Sequence, residues 1–252
     1  MESQGVIKVG CCGFPIAKSE YYRRFPVVEI QQTFYQPPKA ETARRWRQGA
    51  SQEFEFTLKA WQLITHEPSS PTYRRLRNPI PDKEKGNYGS FRSTRQVIDA
   101  WARTEEIAEA LKAGLIVFQC PPKFTPTPEH KDNLRKFFSS IDRKGYLFAW
   151  EPRGKWRPEE VRDLCQELDL IHVVDPLKEE SLYGMIRYYR LHGLTGYRYK
   201  YTDRDLEILK GKYDPDVPTY FLFNNTFMGE DALRFQEMLK GSLESLINQA
   251  TV

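Results

Sequence analysis

Side chains able to move protons or hold charge recur directly after short apolar runs. Glu29 lies within VVEIQQ, Lys59 follows FTL, Gln119 ends LIVFQ, and Glu151 and Arg153 follow FAW. Asp175 follows IHVV, Arg190 and His192 stand in YYRLHG, and Asn224 follows YFLF. Burying such groups unpaired costs several kcal/mol each, so they must meet one another, a ligand, a metal or water. His192, beside the flexible Gly193 and with Glu151 and Asp175 at neighbouring run ends, suits acid–base work near neutral pH. The catalytic candidates are therefore Glu151, His192, Asp175 and Glu29. Lys59, Arg153 and Arg190 offer an anion clamp, Tyr35 and Trp156 an aromatic wall, and His66, Gln119 and Asn224 further polar contacts to a substrate.

Each candidate also has a bland role. Glu29 and Arg190 can form a buried ion pair that only fills the interior, and Arg153 can serve Glu151 likewise. Gln119, ahead of Cys120-Pro121-Pro122, can satisfy backbone groups, and Asn224 and Asn225 can be turn or cap residues. A metal on Glu151, Asp175 and His192 is chemically feasible, but such sets also work without one; no metal is assigned, and any cofactor is unknown. The chain has no GxGxxG, Walker A, HExxH, GxSxG or paired CxxC motif. Cys11, Cys12, Cys120 and Cys165 match neither a disulfide framework nor a zinc spacing and read as buried thiols.

The runs that carry these residues predict eight strands: Ile7–Cys12, Val27–Gln31, Glu53–Leu58, Leu115–Gln119, Tyr146–Trp150, Ile171–Val174, Tyr188–Leu191 and Thr219–Phe223. Most are continuously apolar, as parallel strands covered on both faces must be. Helical patterns alternate with them. Val97, Trp101, Ala108 and Leu111 share one face of a helix over 94–113, and Thr127 before Pro128 opens another bearing Leu134, Phe137, Phe138 and Ile141. Arg157-Pro158-Glu159-Glu160 opens a third, and Ala232, Phe235, Leu239, Leu243 and Leu246 mark the last. This alternation predicts one α/β domain over 1–252, a (β/α)8 TIM-type barrel, with the polar residues at a common mouth.

One connection breaks the rhythm. Residues 67–93, after the third strand, contain Pro68, Pro71, Pro79 and Pro81 and no sustained period, and read as a lid or a floppy insertion. Between Glu67 and Arg95 they concentrate Arg74, Arg75, Arg77, Lys83, Lys85, Arg92 and Arg95 against Glu67, Asp82 and Glu84. The whole chain, 252 residues with 40% hydrophobic content, carries a net charge of only +4. That balance is too mild by itself to argue for nucleic acid. After His192, the run Tyr197-Arg198-Tyr199-Lys200-Tyr201 interleaves bases with aromatics where many barrels bind phosphate. No apolar run is long enough for a membrane span and the N-terminus does not read as a signal peptide, so the expectation is a cytoplasmic protein without membrane partners.

The stretches VGCCGFP, VEIQQTFYQPP, FTLKAWQLITH, VFQCPPKF, AWEPRGKW, YYRLHG and YFLFNN resemble, in order and over nearly the whole chain, the YecE-like family, domain of unknown function number seventy-two. The resemblance implies a TIM-type barrel and leaves the reaction open. It highlights Glu29, Phe34, Tyr35, Lys59, Thr65, His66, Gln119, Pro121, Glu151, Arg153, Trp156, Asp175, Arg190, His192, Gly193, Asn224 and Asn225. Two departures stand out: Gln31-Gln32 replaces the family's usual Asn-Ser, and Arg153-Gly154 replaces its usual Arg-His, which removes one acid–base group. The expected function is an enzyme of hydrolase or lyase type acting on a small polar anionic substrate, phosphorylated or sugar-like. The alternative is a nucleic-acid-binding or phosphodiester-processing protein that uses the basic mouth loops. The oligomeric state is left open.

Overall fold

The computed structural model describes residues 6–250, with side chains described through residue 241. Residues 1–5 and 251–252 of the expected domain, and the side chains of Leu243 and Leu246, lie outside this description. The strands are β1 (Ile7–Cys11), β2 (Val27–Ile30), β3 (Glu55–Lys59), β4 (Leu115–Gln119), β5 (Leu147–Glu151), β6 (Ile171–Val174), β7 (Arg187–Leu191) and β8 (Thr219–Phe223). All neighbours pair in parallel, in sequence order, and β8 closes on β1. The helices, in chain order, are α1 (Lys18–Arg24), α2 (Gln32–Tyr35), α3 (Ala40–Gln48), α4 (Gln62–Thr65), α5 (Arg95–Leu111), α6 (Pro128–Ser140), α7 (Pro158–Glu167), α8 (Asp203–Lys210) and α9 (Met228–Ala250). No helix among the described residues is long and apolar enough to cross a membrane.

Alternation along each strand builds two cores. Val27, Leu115, Val117, Ala149, Ile171, Val173, Tyr188 and Leu222 fill the barrel interior. Their sequence neighbours, among them Val28, Ile116, Phe118, Phe148, Trp150, Tyr189 and Phe221, pack outward under the helices. Because successive side chains change face, residues two apart share one. Two steps beyond an inner residue therefore come Glu29 after Val27, Lys59 after Thr57, Gln119 after Val117 and Glu151 after Ala149. The same step gives Asp175 after Val173, Arg190 after Tyr188 and Asn224 after Leu222. The apolar interior thus gives way to a polar layer at the carboxyl end of the ring, which is where this fold positions a site.

The helix starts follow their sequence signals. Thr94 Oγ1 accepts from Val97 N at 3.3 Å, and Thr127 Oγ1 accepts from His130 N at 3.1 Å ahead of Pro128. Two strands extend beyond their expected ends for one reason. Strands β3 and β5 run on to Lys59 and Glu151, because both stay in the ladder opposite Val117 and Gln119; polarity does not end a strand that still has a hydrogen-bonded neighbour. No helix lies between β6 and β7, where residues 175–186 cross as turns.

The connection after β3 is not structureless. It holds two 3-10 turns, Pro71–Arg75 and Asp82–Asn87. Its far end folds back onto α4: Gly89 N, Ser90 N and Phe91 N donate to the carbonyls of Leu63, Thr65 and Ile64 at 2.8, 3.2 and 2.9 Å. Ser90 and Phe91 adopt left-handed backbone, φ 51° and 54°, which costs about 1 kcal/mol or more for each residue. The Phe91 ring holds them there, fully buried among Phe118, Phe124, Phe137 and Phe138. Gly89, at φ +78°, comes so close to His66 that a Cβ would lie 2.2 Å from its carbonyl oxygen.

Candidate active site

At the mouth a continuous chain of charged side chains runs from the barrel interior to the rim. Arg190, with no exposed surface, donates from Nε to Glu29 Oε2 at 3.0 Å and from Nη2 to Glu29 Oε1 at 2.9 Å. Its Nη1 donates to Glu151 Oε2. Glu151 Oε1 then accepts from Arg153 Nε at 2.7 Å, and Arg153 Nη2 lies 2.7 Å from His192 Nε2. A guanidinium can only donate, so His192 Nε2 accepts and the imidazole proton sits on Nδ1. Tyr188, two residues before Arg190, donates to Glu29 at 3.0 Å, and its oxygen lies 2.7 Å from Thr57 Oγ1; Gln31 Nε2 completes the shell of Glu29. Tyr188, Thr57 and Gln31 were not among the sequence candidates. Counting back by two from Arg190 and Lys59 finds the first two.

These partners fix the protonation states. Burial opposes charge on Glu151, but the guanidiniums of Arg190 and Arg153 outweigh it and hold the carboxyl well below its usual range. Burial, reinforced by Arg190 and Arg153 against the pull of Glu151, lowers His192 to about 3. Burial and then Lys59 lower His66 to about 3 as well. Both imidazoles are therefore neutral at physiological pH. Expected as the proton-transfer group near neutrality, His192 is instead a neutral acceptor for Arg153.

The group whose titration falls near neutral pH is instead Lys59. It is 5% exposed, and its Nζ sits 3.5 Å above the centre of the Phe34 ring. Among the described residues it makes no ion pair and no side-chain hydrogen bond. Burial, and after it Arg190, pull its pKa down to about 7, although Glu151 and Glu29 oppose them. Desolvation beside a like charge is the standard route to a lysine that is half neutral at physiological pH.

The other expectations divide. Arg190 has no free donor facing solvent, so the expected substrate clamp is a scaffold that ties Glu29 to Glu151. Glu29, buried and bonded to Arg190, Tyr188 and Gln31, is likewise occupied, and the bland ion-pair reading describes both. Asp175 works on the backbone: its carboxylate accepts from Leu177 N and His192 N, both at 3.2 Å, and burial raises its pKa. It thereby sets the turn that carries His192. Gly193 follows at φ +81°, where a Cβ would lie 2.3 Å from Gly196 O. Gln119 stands at the rim beside Glu151 in the ladder. Among the described residues Asn224 makes a backbone bond to Leu191 O and no side-chain bond, whereas the neighbouring Asn225 is buried and donates to Tyr199 O and Asp231.

The aromatics lie to the sides. The Tyr35 ring carries the Arg75 guanidinium at 4.2 Å. Trp156 donates to Phe124 O and packs edge-on to Trp150, and it lines a flank cavity of about 490 Å³ with Arg153, His172 and Glu179. A second cavity, about 400 Å³, lies between the loops after β3 and β4 and is lined by His66, Ser70, Lys123, Phe124 and His130. A third, about 660 Å³, opens at the opposite end of the barrel around Arg47, Glu55 and Tyr220. Its lining mixes Arg47, Gln52, Glu55 and Lys112 with the apolar Phe54, Phe56, Leu115 and Leu147 and holds none of the buried charges of the mouth, so the mouth remains the candidate site. All four cysteines are buried, and burial raises Cys11 and Cys165 to about 12, as inert thiols. Among the described residues, no group of three or more His, Cys, Asp or Glu side chains is arranged to hold a metal ion.

Residues 18–251 match the family described as "Protein of unknown function DUF72". None of the curated proteins matches. Among solved structures, a DUF72 family protein from Enterococcus faecalis shares 20% identity over 94% of this chain and 99% of its own, with a TM-score of 0.70. One from Thermotoga maritima shares 20% over 93% and 99%, with a TM-score of 0.64. A xylose isomerase domain-containing protein from Salmonella typhimurium shares 12% over 92% and 94%, with a TM-score of 0.54, a likeness of fold alone.

Proposed function

The chain belongs to the DUF72 family of proteins of unknown function, and on that footing we propose that its mouth is the active site of an acid–base enzyme for a small polar anionic substrate. One observation carries this reading: the charges of the cup do not cancel. Glu29 and Glu151 are matched by Arg190 and Arg153, and Asp175 by Lys178 at 3.8 Å, which leaves the Lys59 ammonium in excess. An anion entering the mouth supplies the missing counter-charge, and a lysine near pKa 7 can give or take a proton at working pH. Arg153, with a side chain 35% exposed, is the guanidinium an incoming phosphate or carboxylate reaches. Such groups suit proton-transfer chemistry of hydrolase or lyase type.

The nucleic-acid alternative draws less support from the geometry. Of the basic residues in the long connection, Arg92 is bonded to Glu67, Lys85 to Asp82 and Arg95 to Asp99, and Arg75 is stacked on Tyr35. These local pairings break up the stripe that a phosphate backbone would follow. The test is calorimetric titration of inorganic phosphate and ribose 5-phosphate into the wild-type protein and Arg153→Met. We expect binding in the millimolar range or tighter, weakened about tenfold in the variant, roughly the 1.4 kcal/mol of one exposed charge-assisted contact. An absence of binding to the wild type at millimolar concentration overturns the reading.

A further inference from the structure

Lys59 differs from every other charged group of the cup in being uncommitted. Glu29 spends its oxygens on Arg190, Tyr188 and Gln31, and Glu151 spends its own on Arg190 and Arg153. The two carboxylates best placed to hold the ammonium in an ion pair are thereby taken away from it. What remains beneath Nζ is the face of Phe34, 3.5 Å off, which attracts a cation without accepting its proton. The backbone that carries it is held in place. Lys59 pairs with Val117 in the β3–β4 ladder, and its carbonyl accepts from Thr33 Oγ1 at 2.6 Å. A fixed, desolvated amine at the carboxyl end of a barrel strand, with no counter-ion of its own, is the arrangement that makes a lysine nucleophilic.

We infer that Lys59 forms an imine with a small carbonyl compound bearing an anionic group, of the 2-oxo acid class; the inference rests on the acid–base reading of the same mouth and names its substrate class. In the step, the neutral amine attacks the carbonyl carbon and a C–N bond forms as the C=O π pair moves to oxygen. That oxygen takes up the proton released by nitrogen and a second proton from solvent. It leaves as water as the nitrogen lone pair closes the C=N bond, so the product is the iminium ion and no oxidant or reductant is consumed. The positive iminium takes the place of the ammonium facing Glu29, Glu151, Arg153, Arg190 and His66: the lysine carries the same charge as in its protonated form, and one more than the neutral amine that reacts, from the solvent proton taken up. Arg153 at the rim meets the substrate's carboxylate or phosphate.

The experiment is reductive trapping of the full chain with pyruvate and sodium borohydride, mapped by peptide mass spectrometry across about pH 6 to 9. At pH 7 about half of Lys59 is neutral, against on the order of one part in two thousand for an ordinary lysine. The expected result is one reduced adduct, on Lys59, formed at least about tenfold faster than on any surface lysine and half-maximal near pH 7. Lys59→Arg, which keeps the charge and removes the nucleophile, abolishes it, with circular dichroism showing that the variant folds. Adducts spread evenly over surface lysines, or none on Lys59, overturn the inference. Phosphate binding in the absence of a Lys59 adduct sinks the imine and leaves the acid–base reading standing. An adduct without phosphate binding overturns the reading of the mouth as a site for phosphate-like anions and leaves Lys59 as a nucleophile toward carbonyl compounds.

Discussion

Arg190 and Lys59, both buried in one cup, have opposite effects on stability. Arg190 is the buried counter-ion shared by two carboxylates, so Arg190→Met leaves Glu29 without a counter-ion and Glu151 with Arg153 alone, and costs about 3–5 kcal/mol. Lys59 is nearly buried without an ion-pair partner, and its folded pKa of about 7 lies below the ordinary 10.5. Between those values the unfolded chain binds more protons than the folded one, so this group makes stability rise with pH there, and its penalty is complete below pH 7. Lys59→Met removes the penalty and stabilises by about 1–3 kcal/mol, most at or below neutral pH. Urea denaturation of the two variants at neutral pH checks both signs, and destabilisation by Lys59→Met would contradict the account of this residue. Residue type and even spacing were legible in the sequence: Glu29, Lys59, Glu151 and Arg190 stand where strand alternation predicts. Their roles were not, because a role depends on which of several nearby charges claims each donor, and that is decided across strands. His192 reads as a neutral-pH switch by its type and becomes a permanently neutral acceptor only once Arg153 and burial surround it.

At the scale of elements, the long connection divides into a pinned end and a free span. The three backbone bonds to α4 and the buried Phe91 hold residues 89–91, and Asn133 Nδ2 adds a bond to Ser90 O at 3.1 Å. The stretch from Arg74 to Asn87 has no buried residue and packs by single contacts such as Arg75 on Tyr35. Limited proteolysis is therefore expected to cut first between 74 and 87 and to spare 88–93. Phe91→Ala removes a fully buried ring and the hold on two left-handed residues, at a cost of about 3–5 kcal/mol, and extends cleavage to 88–93. First cleavage at 88–93 in the wild-type chain would contradict this division. Proline content and aperiodicity disclosed the insertion, but the anchoring phenylalanine gives no local signal, since its partners Phe118, Phe124, Phe137 and Phe138 belong to distant elements. Helices α1, α3 and α8 escaped notice for a related reason. They are short and strongly charged, and bury only Tyr21, Ala40 and Ala43, and Asp205, Leu206 and Leu209 respectively, so few large apolar side chains mark the buried face.

The molecule as a whole is built to stay above mildly acidic pH. His66, His172 and His192 are all held neutral by burial, at about 3, 4 and 3 against the ordinary 6.5. Below 6.5 the unfolded chain binds up to three more protons at these positions, so stability falls with pH at up to about 4 kcal/mol per unit. Glu151, held low by its arginines, adds to the loss as pH falls through the usual carboxylate range. The urea midpoint should drop steeply between about pH 6.5 and pH 5, and each of His66→Gln, His172→Gln and His192→Gln should flatten the slope by about one proton. A flat profile over that range would show that the imidazoles charge freely in the folded protein. The closed ring also has a consequence for how the chain is made. Strand β1 pairs with β8, Ile7 opposite Thr219, so the ring cannot shut until residues near the far end have left the ribosome. Glu29, synthesised early, waits for an arginine 161 positions downstream, and Glu151 waits for the same one. Until Arg190 is made, Glu29 has no arginine partner and must stay hydrated, which keeps the half-made barrel open at its polar end.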